Sequence, residues 1–286
     1  MIKVKVPLHV SGLWIPYFSE NPIETGSRGA GLNLELFLET RSYAEEKYSS
    51  IILNGERVLN NHASHISKRT GKTIVLTAYT PVPLGAGFGV SAAASIAYAV
   101  VSCSSNHYRN CIDYAHEAEV IYKTGLGDVV AEFHGGFVIR IKPGSPSKAS
   151  VIKIDNLGFK PLILACYSRT QEFTPNMLNR VGLDNYIYAN ELLEKLISEL
   201  NLESFFKYAN LFTRKLFNYS PIDEVLTKYR GSVIGYYLKK SALIIWVEKN
   251  YDSGLKNDLL KKGFICIESS ICSKGVEVVH TSQSST

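Results

Sequence analysis

Six residues in the first half of the chain carry side chains suited to moving a phosphoryl group: Ser27, Ser91, His116, Glu119, Asp128 and Arg140. Ser91 follows "PLGAGFGV", in which Gly85, Gly87 and Gly89 fall within five residues. Glycine permits positive φ and lets backbone N–H groups come close to a ligand. The first N–H groups of a helix have no partner inside it, so a Gly-rich turn that opens a helix makes an anion site. A serine there caps the helix, or offers its oxygen to a magnesium ion that travels with a nucleotide. His116 and Glu119 are three apart on one helical stretch and share a face. Asp128 closes the turn "GLGD", and Arg140 follows Gly135-Gly136. A helical Glu to hold magnesium, a loop Asp beside an acceptor hydroxyl and amides around phosphates together make a phosphoryl-transfer set. Arg140 adds a planar fork that suits a carboxylate.

Each feature has a plainer reading. The glycines could form a turn before a buried Ala-rich helix, Glu119 could lie on a solvated face, and Asp128 could cap the next helix. His116 could be a core histidine and Arg140 a rim ion pair. Their joint occurrence favours the chemistry. The loop fits neither G-x-x-x-x-G-K-S/T nor G-x-G-x-x-G.

The elements that must hold these residues can be read coarsely. Strands are expected at 2–6, 31–39, 49–53, 73–78 and 136–141, with Asn54-Gly55 closing a hairpin after the third. A helix follows the Gly-rich loop. A second spans about 112–123, with Asp113 as its cap. Further on, strands are expected at 160–166, 241–248 and 264–269, and helices at 186–200, 202–217 and 255–262. Strands separate helices irregularly, so the expected class is α+β. The pattern changes near residue 155, which divides the chain into 1–155, a nucleotide-binding domain, and 156–286, a smaller α+β domain.

The 286 residues are 45% hydrophobic and 20% charged, enough to bury a core. The net charge of +5 is scattered, with short clusters such as Lys239-Lys240, and lacks the stripe of a nucleic-acid binder. A mild positive balance suits anionic substrates. Cys103, Cys111, Cys166, Cys266 and Cys272 form no C-x-x-C, and no secretory signal precedes them; reduced thiols in a cytoplasmic protein are expected. No membrane span is expected.

"PLGAGFGVSAAASIA" resembles the second motif of the GHMP kinase superfamily, and "HEAEVIYKTGLGDVVAEFHGG" resembles its helix-Glu, loop-Asp and Gly-Gly segment. "TGSRGAG" and "TGLGD" are similar to the archaeal branch that phosphorylates pantoate. The resemblance implies a two-domain α+β fold with the active site in the cleft between domains, and phosphorylation of pantoate toward coenzyme A. Homoserine, mevalonate, a sugar, or no catalysis at all are the alternatives. It implies that Pro83, Gly85, Ala86, Gly87, Phe88, Gly89, Val90 and Ser91 wrap ATP and that Ser91 and Glu119 hold Mg2+. Asp128 would stand beside the acceptor hydroxyl. Ser27, His116 and Arg140 would bind pantoate, with Arg28 as the rival arginine. The implied partners are pantoate and ATP, with no nucleic acid and no membrane, and a homodimer as the assembly. Two motifs depart from the family: Pro7-Leu8-His9 stands where many members have Pro-Gly-Lys or Pro-Gly-His, and "GSVIGYYLKKSALIIW" has only Gly231 and Gly235 where a Gly-rich third motif is expected.

Overall fold

The alternation seen at the N-terminus runs far beyond residue 6. Strand β1 covers Ile2–Tyr17 and pairs antiparallel with β2 (Gly26–Glu45). Pro7 and Gly12 interrupt the sequence pattern, but the ladder absorbs both through register shifts at Pro7/Leu8 and Ser11/Leu13. The computed structural model describes residues 2–103, 108–168 and 181–280.

Next come β3 (Ser50–Leu53) and β4 (Glu56–Val58), the expected hairpin, with Asn54 at φ 52 and Gly55 at φ 89 as a primed turn requires. Helix α1 (Asn60–Thr70) follows; its polar sequence hid it from pattern reading. Strand β5 (Ile74–Tyr79) runs parallel to β3 and antiparallel to β2. Helices α2 (Val90–Ser102), α3 (Tyr108–Ile121) and α4 (Asp128–His134) precede β6 (Phe137–Lys142) and β7 (Ser150–Ile154). The first sheet runs β4-β3-β5-β2-β1, with β6 on β2 and β7 on β6. Asp113 lies inside α3 and does not cap it; its carboxylate accepts from the Ser147 N–H at 3.1 Å.

The second sheet begins with β8 (Leu162–Ser168). Helices α5 (Leu183–Glu199), α6 (Leu202–Thr213) and α7 (Ser220–Leu226) follow, then β9 (Val233–Lys239), β10 (Ala242–Val247), α8 (Gly254–Lys261) and β11 (Phe264–Ser269). Its order is β11-β8-β10-β9, all antiparallel. The chain then returns to the first sheet, where β12 (Glu277–His280) pairs with β1. The class is mixed α and β with two sheets, as the sequence suggested.

Helix α6 ties the sheets together. Phe205 packs on Phe137 at 4.9 Å between ring centroids and on Tyr237 at 5.4 Å, and Phe212 meets Trp14 edge-on at 4.7 Å. One hydrophobic core therefore runs from α2 through β1 to α6 and β9.

The expectation of five reduced thiols is overturned. Cys103 bonds to Cys111, joining the end of α2 to α3, and Cys166 bonds to Cys266. Cys166 and Cys266 are register partners on β8 and β11, a proximity that linear spacing of 100 residues does not disclose. Cys272 is a buried free thiol. Among the described residues no helix is long and apolar enough to cross a membrane.

Candidate active site

The Gly-rich loop presents backbone. Gly85, Gly87 and Gly89 all have positive φ, and the side chains of Ala86, Phe88 and Val90 are buried. The loop therefore offers chiefly main chain, with the half-buried Pro83 and Leu84 beside it, to a ligand lying over the start of α2. Gly89 is the N-cap, in the left-handed region, so Ser91 does not cap the helix. Its hydroxyl instead donates to Glu119 Oε2 on α3 at 3.0 Å.

Glu119 is 1% exposed, which rules out the solvated-face reading. Among the described residues its Oε1 makes no hydrogen bond, and His62 Nε2 lies 3.3 Å from it. His62 Nε2 also lies 2.8 Å from Thr124 Oγ1. Beneath the loop sits a second carboxyl, Glu132 of α4, fully buried, with neither oxygen hydrogen-bonded to a side chain among the described residues. Burial, with the nearby Asp128 and Glu119 charges, pushes its pKa well above the usual carboxylate range. The buried environment of Glu132 thus favours the protonated acid over the carboxylate. Sequence reading passed over it, since "DVVAEFHGG" offers no sign that its glutamate points inward.

Asp128 is the first residue of α4, after the N-cap Gly127. His9 Nδ1 lies 2.7 Å from its Oδ1, and Lys239 Nζ lies 3.2 Å from the same oxygen. Among the described residues Oδ2 takes no hydrogen bond. Although burial opposes ionisation, Lys239, His9 and Arg140 hold the Asp128 carboxyl far below its ordinary value. His9, wholly buried on β1, is driven down to about 4 by burial, with the Asp128 contact opposing. It is therefore neutral at pH 7, and its Nδ1–H donates to Asp128. Lys239 is a residue that sequence reading placed only in a basic pair; 111 residues of chain separate it from Asp128.

Arg140 is 1% exposed, so it is not a rim ion pair. It lies on β6 opposite Gly29 of β2, which brings Ser27 alongside. Nε donates to the Ser27 carbonyl at 3.4 Å and Nη2 to Ser11 Oγ at 3.5 Å, both long; Nη1 makes no bond among the described residues. Burial lowers this guanidinium to about 10, with Asp128 opposing, and it stays charged. A Cβ on Gly127 would fall 2.5 Å from Ser27 Oγ and 2.7 Å from Arg140 Nε, so only glycine fits above them. A cavity opens here, lined by Ser11, Trp14, Ser27, Gly127, Asp128 and Lys239, with Arg140 behind that lining rather than in it.

His116 stands outside that lining. Its Nε2 lies 2.8 Å from the Thr25 carbonyl, which only accepts, so this nitrogen carries the proton. Burial lowers its pKa. Arg28 is turned the other way, donating to Asn190 Oδ1 and Glu194 Oε1 on α5, each at 2.6 Å.

Comparison with known proteins meets this geometry. Residues 57–136 match the family model described as the GHMP kinases N terminal domain. The chain is 33% identical to the pantoate kinase of Thermococcus kodakarensis over 56% of this chain and 57% of that enzyme. It is 28% identical to the pantoate kinase of Methanocaldococcus jannaschii, over 70% of this chain and 74% of that enzyme. The chain thus spans little more than half the length of the Thermococcus relative. A solved structure described as a phosphotransferase related to the CoA biosynthesis pathway superposes with a TM-score of 0.78 at 22% identity, covering 97% of this chain and 98% of that one. A mevalonate diphosphate decarboxylase of Staphylococcus aureus superposes at 0.69 with 15% identity, over 98% and 99%. These two likenesses establish the fold.

Proposed function

We propose that this chain, which carries the N-terminal domain of the GHMP kinases, transfers the γ-phosphoryl group of ATP to the primary hydroxyl of pantoate, giving 4-phosphopantoate. The observation that carries the reading is Arg140: a buried guanidinium with no carboxylate partner among the described residues, set behind the Ser27 that lines the cavity and near enough to Asp128 to feel its charge. A buried charge persists when a ligand or neighbour pairs with it, and two long hydrogen bonds do not satisfy this one. A carboxylate entering the cavity would accept the planar fork. Its hydroxyl would then lie toward Asp128. His116 acts at one remove, holding the Thr25 carbonyl and with it the chain leading to Ser27.

The backbone from Pro83 to Ser91 would cradle the ATP phosphates. Ser91 and Glu119 fit a magnesium ion: both are hard oxygen donors, and among the described residues Glu119 Oε1 makes no hydrogen bond and no Lys or Arg pairs with Glu119. Magnesium would draw its other ligands from phosphate and water. When bound, the ion would neutralise phosphate charge.

The acceptor oxygen bonds to the γ-phosphorus as the bond from that phosphorus to the β,γ-bridging oxygen breaks. The bridging electron pair leaves with ADP. The hydroxyl proton passes to Asp128 Oδ2 and on to solvent. An aspartate held this acidic is a weak base, so Asp128 chiefly orients the hydroxyl, as a loose phosphoryl-transfer transition state allows.

The test is ADP release with pantoate, homoserine and mevalonate offered separately to the purified chain with Mg-ATP. Turnover with pantoate and a far lower kcat/KM for the other two is expected. Equal or better turnover of homoserine or mevalonate would overturn the acceptor, and no turnover of any would overturn the enzyme.

A further inference from the structure

The fold carries a cation to Asp128 from the opposite half of the chain. Strand β9 alternates its faces: Leu238 packs into the core of the second sheet, while Tyr237 and Lys239 face the first. Two bonds fix this strand. The Tyr237 hydroxyl donates to the Val10 carbonyl at 3.0 Å, and the Leu238 N–H donates to the Tyr219 hydroxyl at 2.9 Å. Lys239 then pairs with Ala242, so Lys240 and Ser241 form a two-residue turn, with Lys240 at φ 56. The Lys239 carbonyl presses on the Gly-rich loop, where a Cβ on Gly87 would fall 2.5 Å from it. One residue thus touches the loop proposed for phosphate with its backbone and Asp128 with its ammonium.

Of the basic groups around the cavity, which include Lys240 in the turn, Lys239 is the one whose ammonium bonds to Asp128. His9 is neutral and spends its Nδ1–H on Asp128. Arg140 lies deeper, behind Ser27. Lys239 is 6% exposed and lines the cavity, so its charge is kept from bulk water and aimed at the space beside Asp128. A cation in so dry a place acts far more strongly on a developing negative charge than one in solvent.

We propose that Lys239 is a catalytic residue of the phosphoryl transfer, its ammonium standing against the acceptor oxygen and the incoming phosphoryl group. This rests on the kinase reading above. The lysine keeps its protons throughout: the new oxygen–phosphorus bond forms, the bond to the bridging oxygen breaks, and the ammonium offsets charge on the phosphoryl oxygens. Asp128 holds the ammonium in place through Oδ1 and leaves Oδ2 for the hydroxyl.

The experiment compares the wild-type chain with Lys239→Met, Lys239→Arg and Lys239→Ala, using Mg-ATP and pantoate. Lys239→Met should lower kcat by about 100-fold or more, the scale for one preorganised stabilising group, with KM for pantoate changed by less than about threefold. Lys239→Arg should recover part of the loss, since it restores the charge. Added ethylammonium should raise the rate of Lys239→Ala and leave wild type unaffected, a response that damaged packing would not give. Should Lys239→Met fail to fold, the arginine variant and the amine rescue decide the matter. A kcat within threefold of wild type in Lys239→Met, or no rescue by arginine or amine, would overturn the role of Lys239 while leaving the kinase reading intact. A wild-type chain active only on another acceptor would overturn the pantoate reading, and the same variants would then be measured on that acceptor. A wild-type chain that turns over no acceptor overturns both.

Discussion

Two carboxylates flank the Gly-rich loop, and their surroundings are opposite. Asp128 stands among His9, Lys239 and Arg140, with its Oδ1 doubly bonded. Glu119 stands among oxygens and a histidine: the Ser91 hydroxyl, His62 at 3.3 Å and the buried Glu132 nearby. A carboxylate whose charge is already countered by a bonded ammonium and a nearby guanidinium has less to offer a metal. A carboxylate with no such cation beside it has more. On the proposed function the same chemical group is given two tasks by its neighbours alone: the cationic corner would take the acid and its hydroxyl, and the anionic corner would take magnesium.

Breaking the cationic corner should do the greatest damage. Asp128→Asn keeps the shape and removes the charge that orients the hydroxyl and holds Lys239. We expect kcat to drop on the order of 100-fold or more while an ATP analogue still binds. Near-wild-type turnover would remove Asp128 from the reaction.

Arg140→Lys probes the far wall of the same corner. It preserves charge and loses the fork, at a cost of roughly 1.5–3 kcal/mol, or about 10- to 150-fold in kcat/KM for pantoate. KM for ATP should hardly move. Equal damage to both substrates would mark Arg140 as structural. Because Arg28 is spent on α5, Arg28→Lys should leave KM for pantoate near wild type.

The anionic corner should answer to magnesium instead. Glu119→Gln and Ser91→Ala each weaken one oxygen ligand, and the magnesium concentration for half-maximal activity should rise about tenfold in each. Unshifted titrations would sink the assignment.

The smallest effects are on stability against pH. Glu132 has a raised folded value, so the folded chain binds a proton that the unfolded chain gives up, and stability falls as pH rises above 4.5, the ordinary carboxyl value. His9 has the opposite sense. Its folded value of about 4 lies below 6.5, so the stability it contributes is full above pH 6.5 and is lost as pH falls toward 4. In melting curves taken from pH 5 upward, Glu132→Gln should gain on wild type as pH rises. Parallel curves would show that Glu132 is not protonated in the fold.

What could be read from the sequence was local. The three glycines before α2, the Asn54-Gly55 turn and the Gly-bounded approach to Asp128 announce themselves within a few residues, and the structure keeps the glycines at positive φ. What could not be read was pairing at a distance. Lys239 meets Asp128 only because β9 of the second sheet leans on β1. His116 lies on the same helix as Glu119, yet it turns to the Thr25 carbonyl, and helical spacing alone cannot show this. Cys166 and Cys266 meet through strand register. The first strand, expected at 2–6, runs on to Tyr17, and register shifts carry the ladder past Pro7 and Gly12.

The most direct test of the central claim follows the product. Mg-ATP and pantoate are incubated with the chain and phosphorus NMR is recorded over time. One new phosphomonoester signal should grow in step with ADP, be lost with Asp128→Asn, and be absent when pantoate is left out. ADP formed with inorganic phosphate alone, or no ester above the background without protein, would contradict the account.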